Sequence, residues 1–447
     1  MMMGKRLVIL GGGESGVGAA LLGKKEGYEV VLMDESSLKD VYRNELQKAG
    51  IDFFEKEIIE RKLFSADEVV KSPGIPEKNE WVKALRKKGI AIISEIELAY
   101  RHKGDSKIVA ITGSNGKSTT TSLIYHICRH AGVDCALVGN IGYSFARQVA
   151  EEPKQWYVAE ISSFQLDDIS TFRPDIAVLL NITEDHLDRY EYQFEKYISS
   201  KFRITINQKP SDHFIYNLDD EVIMNYIERN TINSIQLPIS MKQKVEKGGY
   251  IKDDQMHVNV SGDEQQMSIY DFALKGKHNQ FNTMAASVAG ATMDIRKNKI
   301  REAVQTFENL EHRMESVATV RGVEFINDSK ATNVNSTWYA LESMTKPTIL
   351  ILGGVDKGND YALIAELVQE KVKAIVCMGL DNSKIHEAFD HVVKVIDTDN
   401  ANDAVLSTYS LAQPGDIVLL SPACASFDLF KNYEDRGKQF KEAVRNL

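Results

Sequence analysis

Lys117 and Ser118 close the segment T-G-S-N-G-K-S-T at residues 112–119, between the apolar run Ile108–Ile111 and a stretch with helical spacing. A strand, a glycine turn and a helix start in that order make a cradle for phosphate. Backbone N–H groups of the turn face the anion, and the helix dipole favours negative charge. Lys117 is spaced to reach the β- and γ-phosphates, and Ser118 to offer its hydroxyl to the accompanying magnesium. The standard loop has a glycine five residues before Gly116, where this chain has Ile111; Gly113 stands three before, so the loop is shorter. Gly113, Ser114, Asn115, Gly116, Lys117, Ser118 and Thr119 form the candidate phosphate-binding set. The chemistry they suggest is that of ATP or GTP.

Two groups beyond the loop suit a metal next to that phosphate. Glu160 ends the apolar run from Trp156, and His186 lies in N-I-T-E-D-H-L-D-R-Y, just past the run Ile176–Leu180. In an open parallel sheet, residues past the carboxyl ends of strands line the ligand crevice. Magnesium takes oxygen ligands and keeps several waters, which suits one glutamate; a histidine there is more often structural. A second glycine turn, Gly11 to Gly16, fits G-x-G-x-x-G and has Asp34 about twenty residues further on. Alone it points to a dinucleotide, with the acid on a ribose hydroxyl. The alternative is a turn that only lets a helix pack closely on a strand. Beside a triphosphate loop, it implies a second phosphorylated ligand.

The elements that must position these residues read as α/β. Short apolar runs alternate with longer amphipathic stretches along nearly the whole chain. Strand candidates are Arg6–Leu10, Glu29–Met33, Val69–Val70, Ile108–Ile111, Tyr157–Ile161, Ile176–Leu180, Val323–Ile326, Thr348–Leu352, Ala374–Met378 and Ile417–Leu420. A polar, lysine-rich insert near Met241–Gln255 has the look of an exposed hairpin. With 447 residues, two or three domains are expected, and the pattern divides at 1–100, 101–297 and 298–447. A net charge of −10 argues against nucleic acid as a partner. Cys128, Cys135, Cys377 and Cys424 are scattered without C-x-x-C spacing, which suits a reducing cytoplasm and offers no structural zinc motif. The run Leu7–Leu10 is too short for a signal segment or a membrane span.

T-G-S-N-G-K-S-T, V-G-N-I-G at 138–142, E-I-S-S-F-Q-L from Glu160 and T-E-D-H-L-D-R-Y resemble the Mur ligases. So do G-K-H-N-Q-F-N at 276–282, H-R-M-E at 312–315 and N-D-S-K-A-T-N at 327–333. L-G-G-V-D-K at 352–357 and S-P-A-C-A-S-F-D at 421–428 look like the D-glutamate-adding branch. The motifs keep the family's order over essentially the full length. The resemblance implies a Rossmann-like N-terminal domain for a UDP-linked substrate, a central P-loop ATPase-type parallel-sheet domain and a Rossmann-like C-terminal domain for the amino acid. It also implies a reaction. The carboxylate of UDP-N-acetylmuramoyl-L-alanine takes the γ-phosphoryl group of ATP, and the amine of D-glutamate displaces phosphate from the acyl phosphate. That places the protein in cytoplasmic peptidoglycan precursor synthesis, as a monomer with no nucleic-acid or membrane partner.

Site residues follow from the resemblance. Asn279 and Asn282 would meet adenine, and Arg313 and Asp328 the phosphates and ribose of ATP. Glu160, His186 and Ser118 would hold magnesium, with two metal sites. Lys201, fifteen residues after His186, matches a lysine carbamylated in the family, although a solvated helix lysine is the commoner state. Asn140 would contact the UDP-sugar near its reacting end. Glu14, Ser15, Gly16, Glu35, Ser36, Ser72, Pro73 and Gly74 would receive the uridine diphosphate. Lys330, Thr332, Lys357, Ser426 and Phe427 would bind D-glutamate. The bland readings are a helix cap for N-D-S-K-A-T-N and a strand-to-helix turn with a small buried Cys424 for S-P-A-C-A-S. Two positions depart from the family: Tyr433 stands where some members carry phenylalanine, and Glu35-Ser36-Ser37 is not a typical sequel to Asp34. Folylpolyglutamate synthase, a related ligase that also joins glutamate to a carboxylate, would lack the N-terminal domain on which this chain spends about a hundred residues.

Overall fold

Continuous apolar runs such as R-L-V-I-L (Arg6–Leu10) become strands buried on both faces, as a parallel sheet covered by helices requires. The structure, a computed structural model, describes residues 5–308 and 311–447; the three leading methionines lie outside them. It divides into two compact units, Met1–Ala273 with Asn279–Phe307, and Leu274–His278 with Glu308–Leu447.

The first unit contains two sheets. One joins β1 (Arg6–Leu10), β2 (Glu29–Asp34), β3 (Asp52–Glu55), β4 (Glu68–Lys71) and β5 (Ala91–Ile93) in the parallel order β3-β2-β1-β4-β5. Between β1 and β2 runs the helix Glu14–Lys25. It can approach β1 only because residue 16 is glycine, since a Cβ there would lie 1.8 Å from the Gly11 carbonyl oxygen.

The other sheet is built on β6 (Lys107–Thr112), β7 (Cys135–Gly139), β8 (Trp156–Glu160), β9 (Ile176–Leu179), β10 (His213–Asn217) and β11 (Ile235–Ser240). It continues through β12 (Gly248–Lys252), β13 (Gln255–Asn259) and β14 (Gln265–Ser268), in the order β14-β13-β12-β11-β10-β9-β6-β8-β7. The last three strands correct the expected exposed hairpin. Their antiparallel ladder extends the sheet, and Gly249, Tyr250, Met256 and Val258 are buried. A side chain on Gly249 would strike Met284 and Val288 of the helix Lys277–Thr292, so the polar sequence hides a covered face. The helix Lys297–Thr306 packs on Lys117–His130, and the unit ends at Phe307 rather than before residue 298. The two sheets of this unit are tied by a buried ion pair, Lys71 to Asp168 at 3.0 Å.

The second unit holds one six-stranded sheet. Its strands are β15 (Glu315–Val320), β16 (Val323–Asn327), β17 (Thr348–Leu352), β18 (Val372–Met378), β19 (Lys394–Thr398) and β20 (Ile417–Leu420). The order is β15-β16-β20-β17-β18-β19, antiparallel only at β15. The fold class is thus mixed α/β with parallel sheets in its N-terminal, central and C-terminal parts.

Candidate active site

The phosphate loop leaves β6 at Thr112 and enters the helix Lys117–His130. Gly113 has φ +152° and Gly116 +82°, and a Cβ on Gly116 would come 2.4 Å from Asn282 Oδ1. Only glycine allows that approach. The loop is braced by the start of N-I-T-E-D-H-L-D-R-Y, whose Asn181 and Thr183 had no role assigned from the sequence. Asn181 accepts from Ser114 N through its carbonyl (2.9 Å) and from Asn115 N through Oδ1 (2.8 Å). The Ser114 hydroxyl donates to the Thr183 carbonyl and lies 3.1 Å from the Tyr197 hydroxyl. Ser114 and Asn115 therefore turn their backbone N–H groups into the fold, not toward a phosphate. A helix start presents its first N–H groups outward, here those of Lys117, Ser118 and Thr119. Asn282 accepts from Thr120 Oγ1 and donates to Asn279 Oδ1, both side chains being buried against this helix.

Four strand ends meet beside the loop. In register, Glu160 sits between Ile111 of β6 and Gly139 of β7. Its Oε1 accepts from Asn140 Nδ2 at 2.8 Å, while Oε2 is buried without a hydrogen-bond partner among the described residues. Asn140, expected at the UDP-sugar, thus holds Glu160. Lys201 is not solvated: it is 1% exposed, donates to the Gly113 carbonyl at 2.7 Å and lies 4.6 Å over the Tyr197 ring. Lys117 donates to the same carbonyl at 2.9 Å. Burial, and then the charge of Lys117, push the Lys201 ammonium well below its ordinary pKa. His186 adopts φ +52° and turns a ring edge to Phe164. Lys117, Asn140, His186, Arg189 and Lys201 line one cavity of about 270 Å³ together with Pro73 and Gly74.

The first glycine turn is surrounded by carboxylates. Asp34 accepts from Gly12 N (2.6 Å) and Ser36 N (2.7 Å), so it fastens the turn. Glu14, expected on the uridine diphosphate, faces Arg147 in a two-pronged pair at 2.7 and 3.0 Å. Ser15 and Gly16 open the helix that follows the turn. Glu35 accepts from the Trp81 indole at 3.2 Å. Ser72 donates to the Gly11 carbonyl at 3.4 Å. Glu35, Ser36, Gly74, Asn79 and Trp81 line a separate cavity of about 270 Å³.

In the second unit, Asp328 is buried, accepts from Ser421 Oγ at 2.9 Å, and is pushed up to about 7 by burial. Arg313 and Thr332 are half-buried. The Lys330 ammonium lies 5.4 Å over the Tyr433 ring. Ser426 is buried, Lys357 is exposed, and Phe427 is 73% exposed.

Comparison with known proteins now bears on the whole chain. Residues 5–94 match the MurD-like N-terminal domain of Mur ligases, 111–290 the Mur ligase middle domain and 312–424 the glutamate ligase domain. A protein named UDP-N-acetylmuramoylalanine–D-glutamate ligase from Christiangramia forsetii is 52% identical over 100% of both chains. One of the same name from Bacteroides fragilis is 51% identical over 99% of this chain and 100% of its own. The chain belongs to the Mur ligase family. Its fold agrees: the UDP-N-acetylmuramate-alanine ligase MurC of Thermotoga maritima superposes with a TM-score of 0.63 at 15% identity, covering 99% of each chain. A pseudomurein peptide ligase of Methanothermus fervidus gives 0.62 at 17%, also covering 99% of each.

Several residues of this Mur ligase escaped the sequence reading. Arg189, inside T-E-D-H-L-D-R-Y, donates to the Pro73 carbonyl at 3.1 Å and stacks 4.2 Å over Phe164. Its motif was visible, but its partner 116 positions away was not. Arg436 is fully buried and donates to the carbonyls of Ser329 (2.8 Å) and Cys424 (3.2 Å), joining the N-D-S-K and S-P-A-C loops. A lone arginine in a charged helix carries no such signal.

Proposed function

We propose that this Mur ligase adds D-glutamate to UDP-N-acetylmuramoyl-L-alanine at the expense of ATP, in peptidoglycan precursor synthesis. The observation that carries the chemistry is one cavity lined by Lys117, Asn140, His186 and Lys201, beside a buried Glu160 oxygen that has no hydrogen-bond partner among the described residues. The choice of amino acid and acceptor rests on the full-length relatives named for that activity.

Lys117 and the helix start take the β- and γ-phosphates. The substrate carboxylate attacks the γ-phosphorus, ADP leaves, and an acyl phosphate forms. The D-glutamate amine then attacks the acyl carbon; phosphate leaves from the tetrahedral intermediate, and an amide remains. Several anions meet here, so positioning and charge neutralisation are the main demands. The unpartnered Glu160 oxygen fits a hard cation, and Ser118, Glu160, His186 and Lys201 as its carbamate would hold magnesium at two sites. Magnesium, when bound, draws charge from the phosphoryl oxygens. Lys201 suits carbamylation because burial and Lys117 favour its neutral amine, the form that adds carbon dioxide, with loss of one proton. The carbamate would also replace repulsion from Lys117 by attraction.

Asn279 and Asn282 take adenine in this reading, with Arg313 and Asp328 for phosphates and ribose. Ser15, Gly16, Glu35, Ser36, Ser72, Pro73 and Gly74 receive the uridine diphosphate, with Glu14 bracing the turn. Lys330, Thr332, Lys357, Ser426 and Phe427 read D-glutamate. We assign three domains, acting as a cytoplasmic monomer without nucleic acid or membrane. No described helix is long and apolar enough to cross a membrane. The test is phosphate release from ATP with UDP-N-acetylmuramoyl-L-alanine and each candidate amino acid. D-glutamate should support turnover, and efficient L-lysine addition would overturn the assignment.

A further inference from the structure

The second unit holds a side-chain cluster that the ligase reaction does not use. In the parallel pair β18 and β19, Cys377 lies directly opposite Asp397 in register. The helix Ser383–Phe389 brings His386 back over that end of the sheet. The Cys377 thiol, an imidazole nitrogen of His386 and a carboxylate oxygen of Asp397 all lie within 4.8 Å of one another. His386 Nε2 is 3.1 Å from each Asp397 oxygen, and its Nδ1 is 2.8 Å from Asp390 Oδ1. Asn382 donates to Asp397 Oδ1 at 2.9 Å.

A charged imidazole clamped between two aspartates would explain His386 alone. Core packing would explain Cys377 alone; neither accounts for thiol, imidazole and carboxylate converging on one point. Cys377 is 0% exposed, and among the described residues its sulfur makes no hydrogen bond. His386 and Asp397 also line an open cavity of about 660 Å³ with Asp381, Asp399 and Asp403.

We propose that Cys377, His386 and Asp397 form a site for one zinc-like divalent cation. Sulfur, imidazole nitrogen and carboxylate oxygen are the donors zinc takes, at about 2.0–2.3 Å from the ion. Donors around a tetrahedral ion of that size stand roughly 3.3–3.8 Å apart, within the span found here. Asp390 on the second imidazole nitrogen is the outer partner that fixes a metal-bound histidine. Magnesium, which takes oxygen donors and rejects thiolate, is the wrong ion for this set. Water from the cavity completes the coordination. Binding expels the thiol proton, and a second proton if the imidazole was charged.

The experiment titrates the metal-free, full-length protein with Co2+ in saturating Mg2+ and follows near-ultraviolet absorbance. A thiolate-to-cobalt band saturating at one equivalent, and bleached by Zn2+, is expected. The proposed magnesium site has no thiol, so it cannot give this band. Cys377→Ser should remove it, while Cys135→Ser should leave it. His386→Gln, at a partly exposed side chain where folding is not at stake, should weaken Co2+ binding by roughly tenfold or more. Absence of the band, its survival in Cys377→Ser, or unchanged affinity in His386→Gln overturns the site.

Discussion

The chain has two glycine turns between a strand and a helix, and they are built for different work. At Gly11–Gly16 the carboxylates are already engaged: Asp34 caps Gly12 N, and Glu14 pairs with the buried Arg147. At Gly113–Gly116 two lysine amines, Lys117 and Lys201, both donate to the Gly113 carbonyl, with Glu160 at the adjoining strand end and Asp185 in the same cavity. The first turn is thus held as a rigid shelf between two sheets. The second concentrates cationic groups where a triphosphate would sit. A glycine turn supplies close approach; the charges around it decide whether it does chemistry.

The sharpest way to break this contrast is Lys117→Ala. Losing a charge-assisted phosphate contact costs about 1.5–3 kcal/mol, or roughly tenfold to 150-fold, and more if the contact tightens in the transition state. Turnover should be nearly abolished while UDP-substrate binding, read by calorimetry, stays intact. Turnover within threefold of the parent would falsify the assignment.

Lys201→Ala should be nearly as damaging but chemically distinct. Added short carboxylic acids should restore part of its activity by standing in for the carbamate. A fully active mutant would return Lys201 to a purely structural role.

Lys357→Ala should raise the D-glutamate requirement with little change for ATP, as steady-state KM values would show. An unchanged D-glutamate KM would remove Lys357 from that pocket.

At the first turn, effects should fall on stability instead of phosphoryl transfer. Glu14→Ala breaks the pair with Arg147, whose side chain is 7% exposed against 30% for Glu14. Discounted for that exposure, the cost should be about 1–2 kcal/mol, with ATP KM unchanged. A raised ATP KM with no loss of Tm would erase the distinction between the turns.

The last effect concerns pH. Glu95 is buried beside this junction, accepts from Ala146 N at 2.5 Å, and is lifted by burial from 4.5 to about 7. Because the folded protein holds this proton longer, its stabilising share is full below 4.5 and fades as pH rises to about 7. Glu95→Gln should flatten that slope, by an amount on the order of 3 kcal/mol across the window. An identical slope in the variant would exclude Glu95 as its source.

By itself, the sequence determined the local features. Strand runs such as Thr348–Leu352 and Ile417–Leu420 match the observed strands to the residue, because buried parallel strands need unbroken apolar runs. The phosphate loop was legible because glycine positions and the following lysine act within one turn. The insert after Met241 misled because its many polar residues mask the few buried side chains, Tyr250, Met256 and Val258, and because Gly249 makes room for a helix. What depends on neighbours across the sheet was not legible. The burial of Lys201, the Asn181 brace under the loop, the Glu14–Arg147 pair and the Cys377–His386–Asp397 cluster each join segments that strand order brings together. Spacing along the chain encodes periodicity and turns. Which distant side chain shares a charge, a carbonyl or a buried pocket is settled only when the strands take their order, because those interactions act through space over a few ångströms.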